Sequence, residues 1–302
     1  MNSKKIGFVL LDTLYIAMMT IPILCGIVLK VLTKPLTEGI SISGAQIYFT
    51  VPMPLQDLTV TESQINSLIV LITVLGLCLY LTHGLRTRNI SRRQHLIEWA
   101  IEKVDAMVTD SMGEYFKAFP PFIMAILLLS AFSSLLSLFG LYPPTSDINI
   151  VAGWAVLVFF IITYYKFKCG PLGYVKSFCD PVLLAPLNII SEVATPISMA
   201  FRHYGNVLSG SVIGVLIATA LQGLSKLLLG WLPGFLGEFP FLQIGLPAVL
   251  SIYFDVFSGC LQAYIFAMLT MMYVGGAFNV DEFFARKQRK AQKIKNQKHL
   301  EV

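Results

Sequence analysis

Residues 196–206 read PISMAFRHYGN, an arginine set in a run of apolar and small residues that continues for tens of positions on either side. Guanidinium is protonated at any physiological pH, and holding it at bilayer depth costs about 2.5–3.5 kcal/mol even on lenient insertion scales. Whether Arg202 lies in a membrane therefore decides how the whole chain is read. Of 302 residues, 56% are hydrophobic and 13% charged, and mean hydropathy is +0.72, where soluble domains carry about 25% charge. The chain reads as an all-α polytopic membrane protein. Its net charge of +5 comes largely from the tail FFARKQRKAQKIKNQKHLEV. That charge bears on topology and not on nucleic acid, because no aromatic or folded recognition element accompanies the lysines. The five cysteines, Cys25, Cys78, Cys169, Cys179 and Cys260, form no CxxC pair and read as packing residues or reduced thiols.

Four apolar runs, near 7–29, 64–83, 120–141 and 150–167, are long enough to span, since about 20 helical residues cross the hydrocarbon. Two longer stretches follow, roughly 181–222 and 240–279. Between the runs, RTRNISRRQHLIEW (86–99), KFKCGPLGYVK (166–176) and the tail are basic, whereas 36–63 and 142–150 contain no Lys or Arg. The positive-inside rule places the basic segments in the cytoplasm. About six crossings with both termini inside satisfy this, although Lys30 and Lys34 flank the outer end of the first run as heavily as Lys4 and Lys5 flank its inner end. The first run reads as a retained anchor; a signal peptide is the alternative, against which no small-x-small cleavage site follows. Residues 86–118, with Leu96, Ile97, Ile101, Val104 and Val108 at helical spacing among charges, read as an amphipathic helix on the cytoplasmic surface or as a solvated connector.

Residues 181–222, if helical throughout, would extend about 63 Å, twice the hydrocarbon thickness. The segment must tilt steeply, lie partly along the membrane, or break, and Pro186, Pro196, Gly205, Gly210 and Gly214 all permit breaks. At 100° per residue, Ser191, Thr195, Ser198, Asn206 and Ser209 fall within about 40° of Arg202. Hydroxyl groups alone would serve as helix glue. The arginine needs another reason. In SIYFDVFSGCLQAYIFAMLT, Ser251, Asp255, Ser258 and Gln262 share a second polar face. If the chain reverses through GLSKLLLGWLPGFLGEFP, Arg202 and Gln262 come to nearly equal depth, as do Ser211 and Asp255 nearer the outside. Ser211 points away from Arg202, so the hairpin offers two polar regions. Asp255 is about two turns from the level of Arg202 and Glu192 about 15 Å along the axis. Neither is placed for a tight pair, so the partner carboxylate is expected on another chain, an internal salt bridge made by helix offset being the alternative.

PLNIISEVATPISMAFRHYGNVLSG (186–210) together with LQAYIFAMLTMMY (261–273) resembles the signature of subunit a of the F-type ATP synthase membrane sector. PPTSDIN (143–149) resembles that family's outer loop before a spanning helix. The resemblance runs from about residue 42 to 278. It implies a five-helix core with a steep membrane-embedded hairpin against a ring of c subunits, and two offset half-channels that meet the ring near the arginine. Arg202 then matches the essential ring-facing arginine, Asn206 the asparagine one turn on, Gln262 the facing glutamine, and Glu192 an acidic position near the cytoplasmic half-channel. Many members carry a Glu and a His at the positions of Ser211 and Asp255; here one carboxylate remains and serine replaces the other group. His203 stands where leucine is commoner, as a titratable group of the ion path or as a core histidine hydrogen-bonded to a neighbour. Asp147 and Asn149 belong to the outer access region, with an N-cap as the alternative role for Asp147.

The resemblance implies a stator subunit carrying protons or sodium ions to and from ring carboxylates, coupling ion flow to rotation and ATP synthesis. It implies no bond chemistry of the chain's own. Expected partners are the c ring, the b-subunit stator stalk, the remainder of the complex and the lipid bilayer, in a bacterial plasma membrane. No metal or cofactor is expected: HExxH, GxSxG and Walker-type loops are missing and the four histidines are scattered. Two other readings are a secondary transporter with an intramembrane arginine, against which no second half resembles the first, and an intramembrane enzyme using Arg202 as an oxyanion clamp, against which those same motifs are missing. The chain divides into an extra N-terminal anchor (1–35), an external loop (36–63), membrane helices with the amphipathic segment (64–180), the ring-facing hairpin (181–279) and a basic tail (280–302).

Overall fold

The long apolar runs become helices. The computed structural model describes residues 2–33, 44–54, 57–87, 91–171, 174, 185–229, 245, 249–250, 252–280 and 283–288. Helix α1 (Asn2–Thr33) is followed by a two-stranded antiparallel hairpin, β1 (Ile47–Val51) and β2 (Leu58–Thr61). Then come α2 (Glu62–Thr82), α3 (Arg92–Met112), α4 (Pro120–Leu135), α5 (Ile148–Cys169) and α6 (Ala185–Leu229). A π-helical segment, Ile252–Ser258, runs into α7 (Gly259–Ala277). Among the described residues, six helices are long and apolar enough to cross a membrane: all of these except the amphipathic α3. Of the expected reversal (223–240), residues 223–229 continue α6; the rest of it, Ser251, Cys179 and the tail from 289 lie outside the described residues.

Local chemistry sets the helix starts. Ser91 accepts a hydrogen bond from the Gln94 amide at 3.2 Å, and Asp147 accepts from the Asn149 amide at 3.0 Å, so each satisfies a backbone donor that the first helical turn leaves open. Helix α3 buries Val104, Val108 and Met112 at helical spacing, and the amphipathic reading of 86–118 narrows to these 21 residues. The strand pair inside 36–63 had no counterpart in the sequence reading, because strands this short alternate too briefly to register.

The bundle centre lies where α3, α4, α5, α6 and α7 meet. Ile123, Val108, Val151, Ala267, Met271 and Val274 are fully buried there. Outer faces remain apolar and uncovered, Leu227 at 80% and Leu32 at 78% exposure, as lipid-facing surfaces require. Helix α1 is packed along α2: Gly76 lies against Met19 and Tyr15, and Gly26 against Ile69. Polar contacts hold it at both ends: the Lys30–Glu62 ion pair at 3.1 Å, and Asp12, hydrogen-bonded to His83 at 2.9 Å and ion-paired with Arg93 at 3.4 Å.

Two features of the hairpin depart from what its sequence leaves open. Helix α6 continues for 45 residues with Pro196 inside it, where several breaks were permitted. In an apolar medium a break strands many backbone groups, whereas one interior proline frees a single carbonyl, so continuity is the cheaper outcome. The π-helical segment was not foreseen at all; such segments shift the faces of a helix by re-spacing its residues.

Candidate functional site

Met199, Ala200, His203 and Gly210 are buried, which fixes the rotation of α6 about its axis. On the side left uncovered, Ser191, Ser198, Arg202 and Ser209 are exposed. The polar stripe read from the helical period is therefore the face that this chain leaves open. Ion pairs among the described residues include Lys30–Glu62, Asp12–Arg93, Glu114–Lys117 and Lys166–Glu192. Arg202 is in none of them. A cation at membrane depth without a counter-charge among the described residues leaves a surface that is electrostatically incomplete.

The pairing of α6 with the last membrane segment has a definite register. Asn206 Nδ2 donates to Ser258 Oγ at 2.9 Å, and one turn farther along α6 a Cβ on Gly210 would meet the Phe254 ring at 3.1 Å. Gly210, having no side chain of its own, makes room for the Phe254 ring between the helices. One turn in the other direction, the same register sets Arg202 level with Gln262. Gln262 is 3% exposed and so lies in the helix interface, not on the open face. The Ser258 bond also turns Asn206 into the hairpin and off the centre of the Arg202 stripe, where the helical period had put it.

Beside this bond, Ser134, Ser137, Asn206, Ser211, Asp255 and Ser258 line a small cleft. About 20 Å³ of it is open to the centre of a water molecule, enough for one water. Ser211 and Asp255, expected at one level, do share this cleft. Glu192 lies in a second and separate cavity of about 210 Å³ with Lys166 and Thr195. Lys166 Nζ donates to both Glu192 oxygens, at 2.6 and 2.7 Å, and the Tyr174 hydroxyl donates at 3.1 Å. Burial first, and then the Glu192 carboxylate, pushes the Tyr174 phenol up to about 12.

The remaining sequence candidates divide. Asp147 caps α5 through one oxygen and accepts from Ser63 through the other; Asn149 contributes its backbone amide to the cap. Near them, the buried Glu62 accepts from the Tyr142 amide at 3.3 Å, and Asn66 donates to the Tyr142 carbonyl at 2.8 Å. His203 is fully buried against Trp154 and Phe266, with Nε2 3.4 Å from Ser130 Oγ. It sits in the core and lines neither cavity. Sequence reading missed Lys166, Glu62, Ser63 and Ser134. Lys166 was visible only as one more basic residue in a basic segment, and its partner is 26 positions away.

Residues 65–275 match the family model described as ATP synthase A chain. Among similar proteins, "ATP synthase subunit a 1" of Pelobacter propionicus is 30% identical over 190 residues, covering 61% of this chain and 73% of that one. "ATP synthase subunit a 1" of Crocosphaera subtropica is 28% identical, covering 72% of this chain and 89% of its own length. "ATP synthase subunit a, sodium ion specific" of Propionigenium modestum is 28% identical across 93% of this chain and 99% of its own length.

Proposed function

The chain belongs to the ATP synthase A chain family, and from that membership we propose how its two polar cavities and the exposed Arg202 divide the work. It is the ion-translocating membrane subunit of an ATP synthase, not a catalyst of its own, and the rest of that complex is its partner. Family membership also decides against the secondary-transporter reading. The proposal concerns the route. The c ring packs on the open face of α6, so that its carboxylates pass Arg202 in turn. A nearby opposite charge favours an ionised carboxyl, so a ring carboxylate arriving at Arg202 releases its ion. The fixed guanidinium then blocks direct passage between the two sides, since a second cation meets it in low dielectric.

The cleft of Asn206, Ser211, Asp255 and Ser258 forms the outer half-path, with Asp147 and Asn149 supporting its approach. The cavity of Glu192, Thr195 and Lys166 forms the inner one. Gln262, level with Arg202, separates the two within the hairpin interface, and His203 locks the rotation of α6 from the buried side. The subunit sits in the cell membrane with its basic segments in the cytoplasm, and a b-subunit stalk holds it against the ring. The observation that carries the reading is an exposed Arg202 with no ion-pair partner among the described residues, on a helix that touches two separate polar cavities. ATP-driven ion pumping by the whole complex in vesicles tests it: Arg202→Ala abolishes pumping, and pumping at the normal rate overturns the proposal.

The transported ion is a proton or a sodium ion. A relative that matches almost end to end is named as sodium ion specific, which favours sodium. Uptake of radioactive sodium into the vesicles, resistant to a proton uncoupler, is the expected result in that case; uptake of protons alone identifies the other ion.

A further inference from the structure

The inner cavity holds a feature that ion passage alone does not require. Glu192 does not face it as a lone carboxylate: Lys166, from α5, puts its ammonium within 2.6 and 2.7 Å of both oxygens. The two side chains are 26% and 19% exposed, partly withdrawn from water but open to the cavity of about 210 Å³ that they line with Thr195, Ile162 and Tyr273. The Tyr174 hydroxyl adds a third donor to the carboxylate, and the Lys166 ammonium lies 5.4 Å from the Tyr174 ring centre. The lysine is thus held by two groups and is part of the site, not a surface charge that happens to fold over it.

The geometry points to Lys166 as a built-in counter-cation of the inner half-path, a positioning residue that keeps Glu192 from binding the transported ion too tightly. This rests on the reading of the cavity as that half-path. A carboxylate in a narrow, partly dry cavity attracts any small cation, and conduction needs sites that fill and then empty. With Lys166 in place, an arriving cation gains Glu192 only by displacing the ammonium, and the ammonium returns as the cation leaves. The Glu192 carboxylate is paired before, during and after the exchange, while the extra positive charge carried in by the ion favours its departure. Without the lysine the carboxylate would hold the ion, and the site would fill readily and empty slowly.

The test is ATP-driven pumping by the whole complex in vesicles, with sodium or protons varied on the ATP side, from which the inner path takes its ions. Lys166→Met lowers the half-saturating cation concentration by about tenfold, the effect of one unit of carboxylate affinity, and lowers the maximal rate as well. Lys166→Gln, which keeps a hydrogen bond but not the charge, gives a smaller fall in both. Lys166→Arg, whose fork engages both oxygens, restores the half-saturating concentration. Adding Glu192→Gln to Lys166→Met removes the tight site, and the fall in half-saturation disappears. A lysine that only aligns helices would lower the maximal rate with half-saturation unchanged or raised, and that result overturns the assignment. Normal pumping by Arg202→Ala in the same vesicles overturns instead the half-path reading beneath it.

Discussion

Arg202 and Asp147 show how differently two charged residues can be used in one membrane chain. Arg202→Lys keeps the charge but loses the planar fork and the weak hydration of guanidinium. ATP-driven pumping should fall by about tenfold to a hundredfold, the loss of about 1.5–3 kcal/mol from one charge-assisted contact; vesicle pumping rates check this. Asp147 spends both oxygens on structure, one on the Asn149 amide and one on Ser63. Asp147→Asn, which can still cap, should leave passive ion conduction nearly unchanged, whereas Asp255→Asn in the outer cleft should slow it several-fold. Equal effects at the two positions would move the route away from Asp255. Asp147→Ala should instead lower the stability of the chain by about 1 kcal/mol, the usual cost of a lost N-cap, read as a lower thermal midpoint of the complex.

At the scale of elements, rotation and register of α6 and α7 decide which side chains the proposed ring would meet. Ser209 is exposed on the Arg202 side, Asn206 is turned to Ser258, and Ser211 lies in the cleft with Asp255 and Ser258. A cysteine at 209 should therefore crosslink to cysteines on the outer helix of the c subunit far more readily than cysteines at 206 or 211. Equal yields would mean that the wrong face has been assigned to the ring. The start of α7 is equally constrained. A Cβ on Gly259 would stand 2.5 Å from the Cβ of Ser134, so α4 and α7 approach with no room for a methyl group. Gly259→Ala should cost about 1–3 kcal/mol by overpacking, seen as faster proteolysis of the assembled subunit, and Gly259→Val should prevent assembly.

The molecule as a whole is tied together at both ends of α1 and left open on the Arg202 face of α6. Helix α1 is joined to the bundle by Lys30–Glu62 at one end and by Asp12 with His83 and Arg93 at the other. The Glu62 side chain is only 3% exposed, so Lys30→Gln leaves a buried carboxylate without its cation, which is costly. That variant should reduce the amount of assembled complex, and Glu62→Gln combined with it should restore the amount in part. With Arg202 uncompensated among the described residues, the isolated subunit in detergent should unfold at a lower temperature than the subunit in the complex. A midpoint equal in both states would show that the chain supplies its own counter-charge.

Hydropathy and period were enough to establish the membrane class, the spans and the polar stripe around Arg202, because each depends on residues close together in sequence whose spacing a helix converts directly into a face. The equal depth of Arg202 and Gln262 followed as well, from counting residues toward a common turn. What the sequence could not determine was anything carried by contact between distant segments. The Lys166–Glu192 pair, the buried Glu62 under Lys30 and the turning of Asn206 toward Ser258 join different helices. Hydroxyls and charges that look alike along a chain acquire separate roles only when packing selects which of them share a cavity. The continuity of α6 through Pro196 and the π-helical segment before α7 were decided the same way, since the cost of a broken or re-spaced turn depends on the neighbours that satisfy its backbone.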